Sequence, residues 1–282
     1  MWKYERAAAA ACDSSFRREE SDVETIRDVN RLLIDNILPA HVSAHFLHPR
    51  RKPDELYAMH HNCVVVMFAS IPNFKEFWSS GDDTSKKMEC LRLLNEILLS
   101  KPKFSGVEKI KTVGATFMAA VGLNDESELN FVDHCETVYQ MRQDQIAYRN
   151  SVCMIEFAAS MCSILDQINR DAFQSFQLRI GMALGPVVAG VIGAQKPQFD
   201  IWGNTVNMAS RMDSHGEPRK IHVTDEMGSL LSRMNKGECA NLQLKARGPI
   251  RVKGVPHPMS TFFVELDAKR GSHGHLPPPP NI

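Results

Sequence analysis

Apolar residues recur along this chain with two different periods, and the switches between them mark out its elements. Val23, Ile26, Asn30, Leu33 and Ile37 fall at alternating spacings of 3 and 4. That pattern predicts a helix over 21–37 with a short a/d seam, and Asn30 sits on the seam. The seam serves either a second helix or packing on the chain's own domain. Pro39 breaks the pattern. CVVVMFASI (63–71) is a short run rich in β-branched residues and predicts a buried strand. SKKMECLRLLNEILL (85–99) reads as a helix, and VEKIKTVGATFMAAVG (107–122) as two strands about a tight turn at Gly114. The polar stretch 123–150 is expected to be a loop with a short helix. In 151–170, Met154, Phe157, Ala158, Met161, Leu165 and Ile168 line one face of a strongly amphipathic helix. FQLRIGMALGPVVAGVIG (176–193) is expected to form a hairpin around Leu184-Gly-Pro. A helix is expected over 205–212, with Asn204 or Thr205 as its cap. KIHVT then reads as a strand, DEMGSLLSRM as a helix, and two last strands are placed around IRVKG and STFFVEL.

This order gives an α+β class, one mainly antiparallel sheet with helices packed on it. Residues 1–20 are expected to be disordered or a linker, 21–50 an N-terminal helical segment, 51–267 one domain and 268–282 a disordered tail.

Charge and composition narrow the function classes. Lys+Arg and Asp+Glu both number 33, so the net charge is zero and nothing argues for nucleic-acid binding. Seven cysteines without a C-x-x-C spacing fit buried free thiols in a reducing compartment. No apolar run reaches the ~18 residues of a membrane span, and the charged start lacks a signal-peptide core. The segment is therefore expected to be soluble, which leaves a longer, membrane-bound parent chain open. His41, His45 and His48 share a helical face without an acidic or Cys neighbour, so a partly exposed face is preferred to a metal site.

The chemistry concentrates in QFDIWGNTVNMASRMD (198–213). Asn207 and Arg211 lie four apart and share a helical face. Arg offers a planar, permanently charged set of donors suited to phosphate oxygens, and Asn can hold a hydroxyl. The alternative is an Arg paired with a carboxylate such as Asp213, beside a capping Asn. Lys111, on a strand, and Lys253, before Gly254, each read alone as guards of an edge.

Together these residues carry a resemblance. NILPAHVSAHFL, CVVVMFASIPNFKEFW, the LLSKPKFSGVEKIKTVGATFMAAVGL stretch, the run from LRIGMALGPVVAGVIG through RMDS, and IRVKG resemble the second cytosolic catalytic half of mammalian-type transmembrane adenylyl cyclases, within the class III nucleotidyl cyclases. The resemblance covers about 21–266 and implies a ferredoxin-like class III cyclase fold. It implies that Lys111 and Asp200 read adenine, with Ile201 beside them as a substrate contact. By it, Asn207 orients the ribose, Arg211 stabilises charge on the α-phosphate, and Lys253 binds the terminal phosphates. The base chemistry agrees: N1 of adenine accepts and its exocyclic amine donates, as a Lys and a carboxylate require. Guanylyl relatives place Glu and Cys at these positions, which opposes a guanylyl cyclase.

The resemblance also implies what must come from elsewhere. The family holds two Mg²⁺ ions on Asp residues of the first-type half, and the matching positions here are Ser70 and Ala115. Metal ligands are thus expected from a first-type partner half, and a homodimer is expected to be nearly inactive. After Ile97 about six residues usual in the family are absent; removing six residues from a helix turns the rest of it by roughly 600° and shortens it by ~9 Å. The stimulatory G-protein α subunit docks in that region of relatives. Ala115 replaces a Ser that contacts forskolin in relatives, Lys75 matches another residue of that pocket, and a weakened forskolin response is expected. The implied activity is ATP to cyclic AMP and pyrophosphate, at the cytosolic face of a membrane if a parent chain carries the spans. The alternative is a silent module that kept the fold for regulation or dimerisation.

Overall fold

The structure, a computed structural model, describes residues 2–48, 56–72, 104, 106–124, 136–171, 175–193, 197–234 and 242–266. The helix expected at 85–99, Lys75, the gap after Ile97 and the 268–282 tail lie outside the described residues.

The chain divides into two units, one of residues 1–57 with 191–199 and one of 58–190 with 200–282. In the first, α1 (Trp2–Ile37) and α2 (Ala40–Phe46) meet at Pro39. The expected disorder of 1–20 is not found, because the helix reaches back to Trp2. The Ala run 7–11 and the Arg and Glu residues after it are strong helix formers, which outweighs the polar composition. The seam residues Val23, Ile26, Leu33 and Ile37 are exposed. His41 packs edge-on against Phe199, and His45 lies 5.0 Å from the Tyr57 ring.

The second unit holds the sheet. Among the described residues it has eight strands, in the order β2-β3-β1-β4-β6-β8-β7, with β5 paired to β4. They are β1 (Ala58–Ser70), β2 (Val107–Val113), β3 (Thr116–Val121), β4 (Arg179–Ile192), β5 (Gln198–Trp202), β6 (Ile221–Thr224), β7 (Leu242–Ile250) and β8 (Met259–Leu266). The β4–β6 pair is parallel, and β1–β3, β1–β4, β2–β3, β6–β8 and β7–β8 are antiparallel. The mainly antiparallel α+β expectation therefore holds. Gly114 makes the β2–β3 turn at φ 59°, a conformation that disfavours a side chain.

Among the described residues this unit has three helices, α3 (Glu136–Asp171), α4 (Asn204–Ser214) and α5 (Asp225–Met234). Two sets of side chains alternate along β4. Ile180 and Met182 join Val65, Met67, Phe117, Met154, Phe157 and Met161 in one core, which α3 and α5 cover. Gly181 and Gly185 face the other way, toward α4. Val138–Asp171 is long and apolar enough to cross a membrane by length and composition. Its Met154, Ile155, Phe157 and Leu165 are buried in the core.

Three further expectations are corrected. The 176–193 hairpin is a single 14-residue strand. It continues through Gly185–Val187, opposite a shift in the register of β1 between His61 and Val64. That bulge lets Pro186, which has no N–H, remain in the strand. The loop expected over 123–150 is already helix from Glu136; its first turns, with Val138, Tyr139 and Met141 exposed, run into residues such as Gln143 and Ala147 that pack on the domain. The strand expected around IRVKG is β7, which ends at Ile250; Arg251–Gly254 form a turn closed by Val255 N–H donating to Val252 O at 3.1 Å.

Candidate functional site

Helix α4 carries the centre of the site. Thr205, Met208, Ala209, Met212 and Asp213 are buried, one stripe at helical spacing. The opposite face is left to Asn207, exposed, and Arg211, half-buried. The N-cap is Gly203, rather than Asn204 or Thr205. The Thr205 hydroxyl instead donates to Pro186 O at 2.7 Å and ties the start of α4 to β4.

Lys111 and Asp200, 89 residues apart, meet with Lys111 Nζ donating to Asp200 Oδ2 at 2.6 Å. A register shift between Lys109 and Lys111 re-aims this part of β2. Asp200 Oδ1 accepts from the Ile201 backbone N–H at 2.9 Å, which fixes the carboxylate plane. Ile201 is buried beside it. Both partners of the pair keep exposure to solvent, so a ligand edge can replace each as the other's partner. A donor next to an acceptor at this spacing is complementary to a base edge that pairs an acceptor ring nitrogen with an exocyclic amine.

The Arg211 guanidinium lies against Gly254: a Cβ added there would sit 3.5 Å from Arg211 Nη2. The turn holding Lys253, which is exposed, is thereby beside Arg211. Among the described residues no carboxylate pairs with Arg211, so the Arg211–Asp213 pairing kept open from the sequence is not formed. Two cations without an ion-pair partner among the described residues make a place for anionic oxygens.

Asp213 has other partners. Its Oδ1 accepts from Ser70 Oγ at 2.7 Å and from Arg179 Nε at 3.2 Å, and Arg179 Nη2 donates to Ser70 Oγ at 3.3 Å. Burial nonetheless pushes the Asp213 carboxyl above its ordinary range, against the lowering by Ser70 and Arg179. Nearby, His222 is fully buried, and its Nδ1 donates to Met212 O at 2.8 Å. Desolvation holds its pKa down to about 4. Reading the sequence missed the Ser70–Arg179–Asp213 cluster, although the 205, 208, 209, 212, 213 stripe places Asp213 inward.

A pair of Mg²⁺ ions does not fit these residues. Ser70 and Thr116 are register partners, and Ile71 N–H donates to Ala115 O at 3.3 Å, so positions 70 and 115 do adjoin. Neither is a carboxylate, and the neighbouring Asp213 is engaged by a guanidinium. Among the described residues no group of three or more His, Cys, Asp or Glu could hold a metal.

Comparison with known proteins places this geometry. Residues 56–266 match the family described as adenylate and guanylate cyclase catalytic domain. The chain is 38% identical over 239 residues to adenylate cyclase type 9 of Xenopus laevis, covering 82% of this chain and 16% of that protein. It thus spans about a sixth of that relative's length. Among solved structures it resembles the adenylyl cyclase CyaB from P. aeruginosa (20% identity, TM-score 0.60, 76% of this chain and 97% of that one). It also resembles the guanylate cyclase domain of RhGC from Catenaria anguillulae, solved in complex with GTP (26% identity, TM-score 0.57, 73% and 98%).

Proposed function

Because the chain belongs to the adenylate and guanylate cyclase catalytic-domain family, we propose that it is an adenylate cyclase half-domain that turns ATP into 3′,5′-cyclic AMP and pyrophosphate when paired with a metal-bearing first-type half. The observation that carries this reading is the Lys111–Asp200 pair at 2.6 Å. Lys111 donates to N1 of adenine, and Asp200 accepts from the exocyclic amine. Guanine presents the opposite edge, a donor at N1 and an acceptor at O6, and is refused because the polar groups facing it would be left unpaired. Ile201, buried next to Asp200, backs the base site and gives its backbone N–H to the Asp200 carboxylate.

In the reaction the ribose 3′-oxygen attacks the α-phosphorus, and its proton passes to solvent water. The new P–O bond forms as the bond to the pyrophosphate oxygen breaks. Asn207 holds the ribose, so attack begins from a fixed geometry. Arg211 meets the charge that grows on the α-phosphate oxygens. Lys253, beside it, holds the terminal phosphates that leave. Metal ions belong to the partner half, since Ser70 and Ala115 supply no carboxylate. The cytosolic face of a membrane and a stimulatory G-protein α subunit are the location and partner this reading carries.

The test mixes this chain with a first-type catalytic half, ATP and Mg²⁺, and compares wild type with Arg211→Ala. Cyclic AMP formation that needs both halves and collapses in the variant supports the reading. Strong activity of this chain alone, or full activity of Arg211→Ala, overturns it.

A further inference from the structure

Helix α4 is seated on β4 at two points. Thr205 lies over Gly185, where an added Cβ would meet Thr205 Oγ1 at 2.7 Å, and Asp213 lies over Gly181, where an added Cβ would overlap its backbone. Four strand residues span about 13 Å, and eight helical residues about 12 Å, so the two seats match in length. Between them Met208, Ala209 and Met212 are buried. Apolar burial has no direction, so by itself it leaves a helix free to roll and slip along its seat. Hydrogen bonds do have direction. At the far end three are concentrated on Asp213, Ser70 and Arg179, and a fourth joins His222 to Met212 O.

Arg211 stands one residue before Met212 and two before Asp213. Its guanidinium lies against Gly254 and has no ion partner among the described residues, so the backbone of its own turn sets where the side chain starts from. Whatever fixes that turn fixes Arg211 and, one helical turn back, Asn207.

We propose that Asp213, held by Ser70 on β1 and Arg179 on β4, is a positioning residue that sets where α4 presents Asn207 and Arg211 to the substrate. The proposal rests on the functional reading above. Asp213 faces the sheet, away from the substrate side of the helix, and acts through the helix it ends.

The experiment measures kcat and KM for ATP with a first-type half and Mg²⁺, for wild type, Arg211→Ala, Asp213→Asn, Asp213→Glu and Ser70→Ala. Each is assayed at a temperature where circular dichroism shows it folded. A misplacement on the scale of an ångström costs up to about a hundredfold in rate, so Asp213→Asn is expected to lower kcat roughly tenfold or more with KM within about twofold. Asp213→Glu, which keeps the charge, is expected to recover part of that loss, and Ser70→Ala to lower kcat about threefold through loss of the hydrogen bonds Ser70 makes with Asp213 and Arg179. An Asp213→Asn enzyme with wild-type kcat, or one whose loss equals its unfolded fraction, overturns the proposal. If Asp213→Asn does not fold, Ser70→Ala decides by the same split, and an unchanged kcat overturns it. Full activity of Arg211→Ala would mark failure of the functional reading itself; a dead Arg211→Ala beside an unimpaired Asp213→Asn would mark failure of this proposal alone.

Discussion

Two Lys/Arg–Asp pairs on one domain make opposite use of the same chemistry. Lys111 and Asp200 meet at 2.6 Å with both side chains partly in water. Arg179 and Asp213 meet at 3.2 Å, and Asp213 is only 9% exposed. The shorter pair is the weaker one energetically, because water screens it and competes for it. The longer pair is shielded on its acidic side, and Asp213 left without Arg179 would be a buried charge. Distance says which groups meet; burial says what it costs to part them. A ligand can therefore open the first pair, while the second holds the helix that serves the ligand.

The sharpest way to break this comparison is Arg179→Ala. It strands the Asp213 carboxylate and is expected to cost about 3–5 kcal/mol of folding stability. Urea unfolding at neutral pH measures it; a loss as small as that of an exposed pair would erase the contrast. Arg211→Ala comes next and acts on a different quantity. It is expected to cost ~3–4 kcal/mol in the transition state, like removal of an oxyanion-hole donor. Its unfolding curve should stay within about 0.5 kcal/mol of wild type, as for surface changes.

A pH titration probes the seat from its other side. His222 is held neutral in the fold, with its pKa down at about 4 against an ordinary 6.5. Between those values the unfolded chain binds the proton and the folded chain does not. Its contribution is whole above the ordinary value and is lost as pH falls toward 4, a total of about 3 kcal/mol. His222→Gln should flatten that slope in melting curves taken from pH 7 to pH 4. Asp213 works in the opposite sense. Its raised pKa makes the folded chain the better proton binder just above the usual Asp range, so its share declines as pH rises through that window. Asp213→Asn should remove this second, opposing slope. Breaking the exposed pair by Lys111→Ala is expected to cost only about 0–1 kcal/mol of stability. Its consequence is expected in substrate choice instead: the preference for ATP over GTP should fall, as measured by product formation with each nucleotide.

Much of this was legible along the chain. The 3.6-residue stripe of α4, the β-branched run of β1 and the Gly114 turn each follow from local pattern, because side-chain period and turn chemistry are local properties. The position of Asn207 above Arg211 followed from a four-residue spacing. Less legible was β4, where Leu184-Gly-Pro signals a turn and yet lies inside one continuous strand. The bulge that accommodates Pro186 belongs to β1, about 120 residues away, and no local pattern records it. Likewise the polar start of α3 and the Ala-rich start of α1 hold helix where composition alone pointed to loop or linker.

By itself, then, the sequence determined the mainly antiparallel α+β class, the outward face of α4, the family, and the lack of carboxylates at positions 70 and 115. These depend on residue identity and short-range spacing. Only the tertiary structure decided who pairs with whom. It set Lys111 Nζ 2.6 Å from Asp200 Oδ2, a pair that the family resemblance implied and no local pattern joins, and it gave Asp213 to Ser70 and Arg179 instead of to the Arg two positions before it. The physical reason lies in the helix: Arg211 and Asp213 are about 200° apart around its axis, so one faces the substrate side and the other the sheet. Which strands lie beneath that inward face is settled by the pairing of β1 with β4, a long-range contact that a linear reading does not contain.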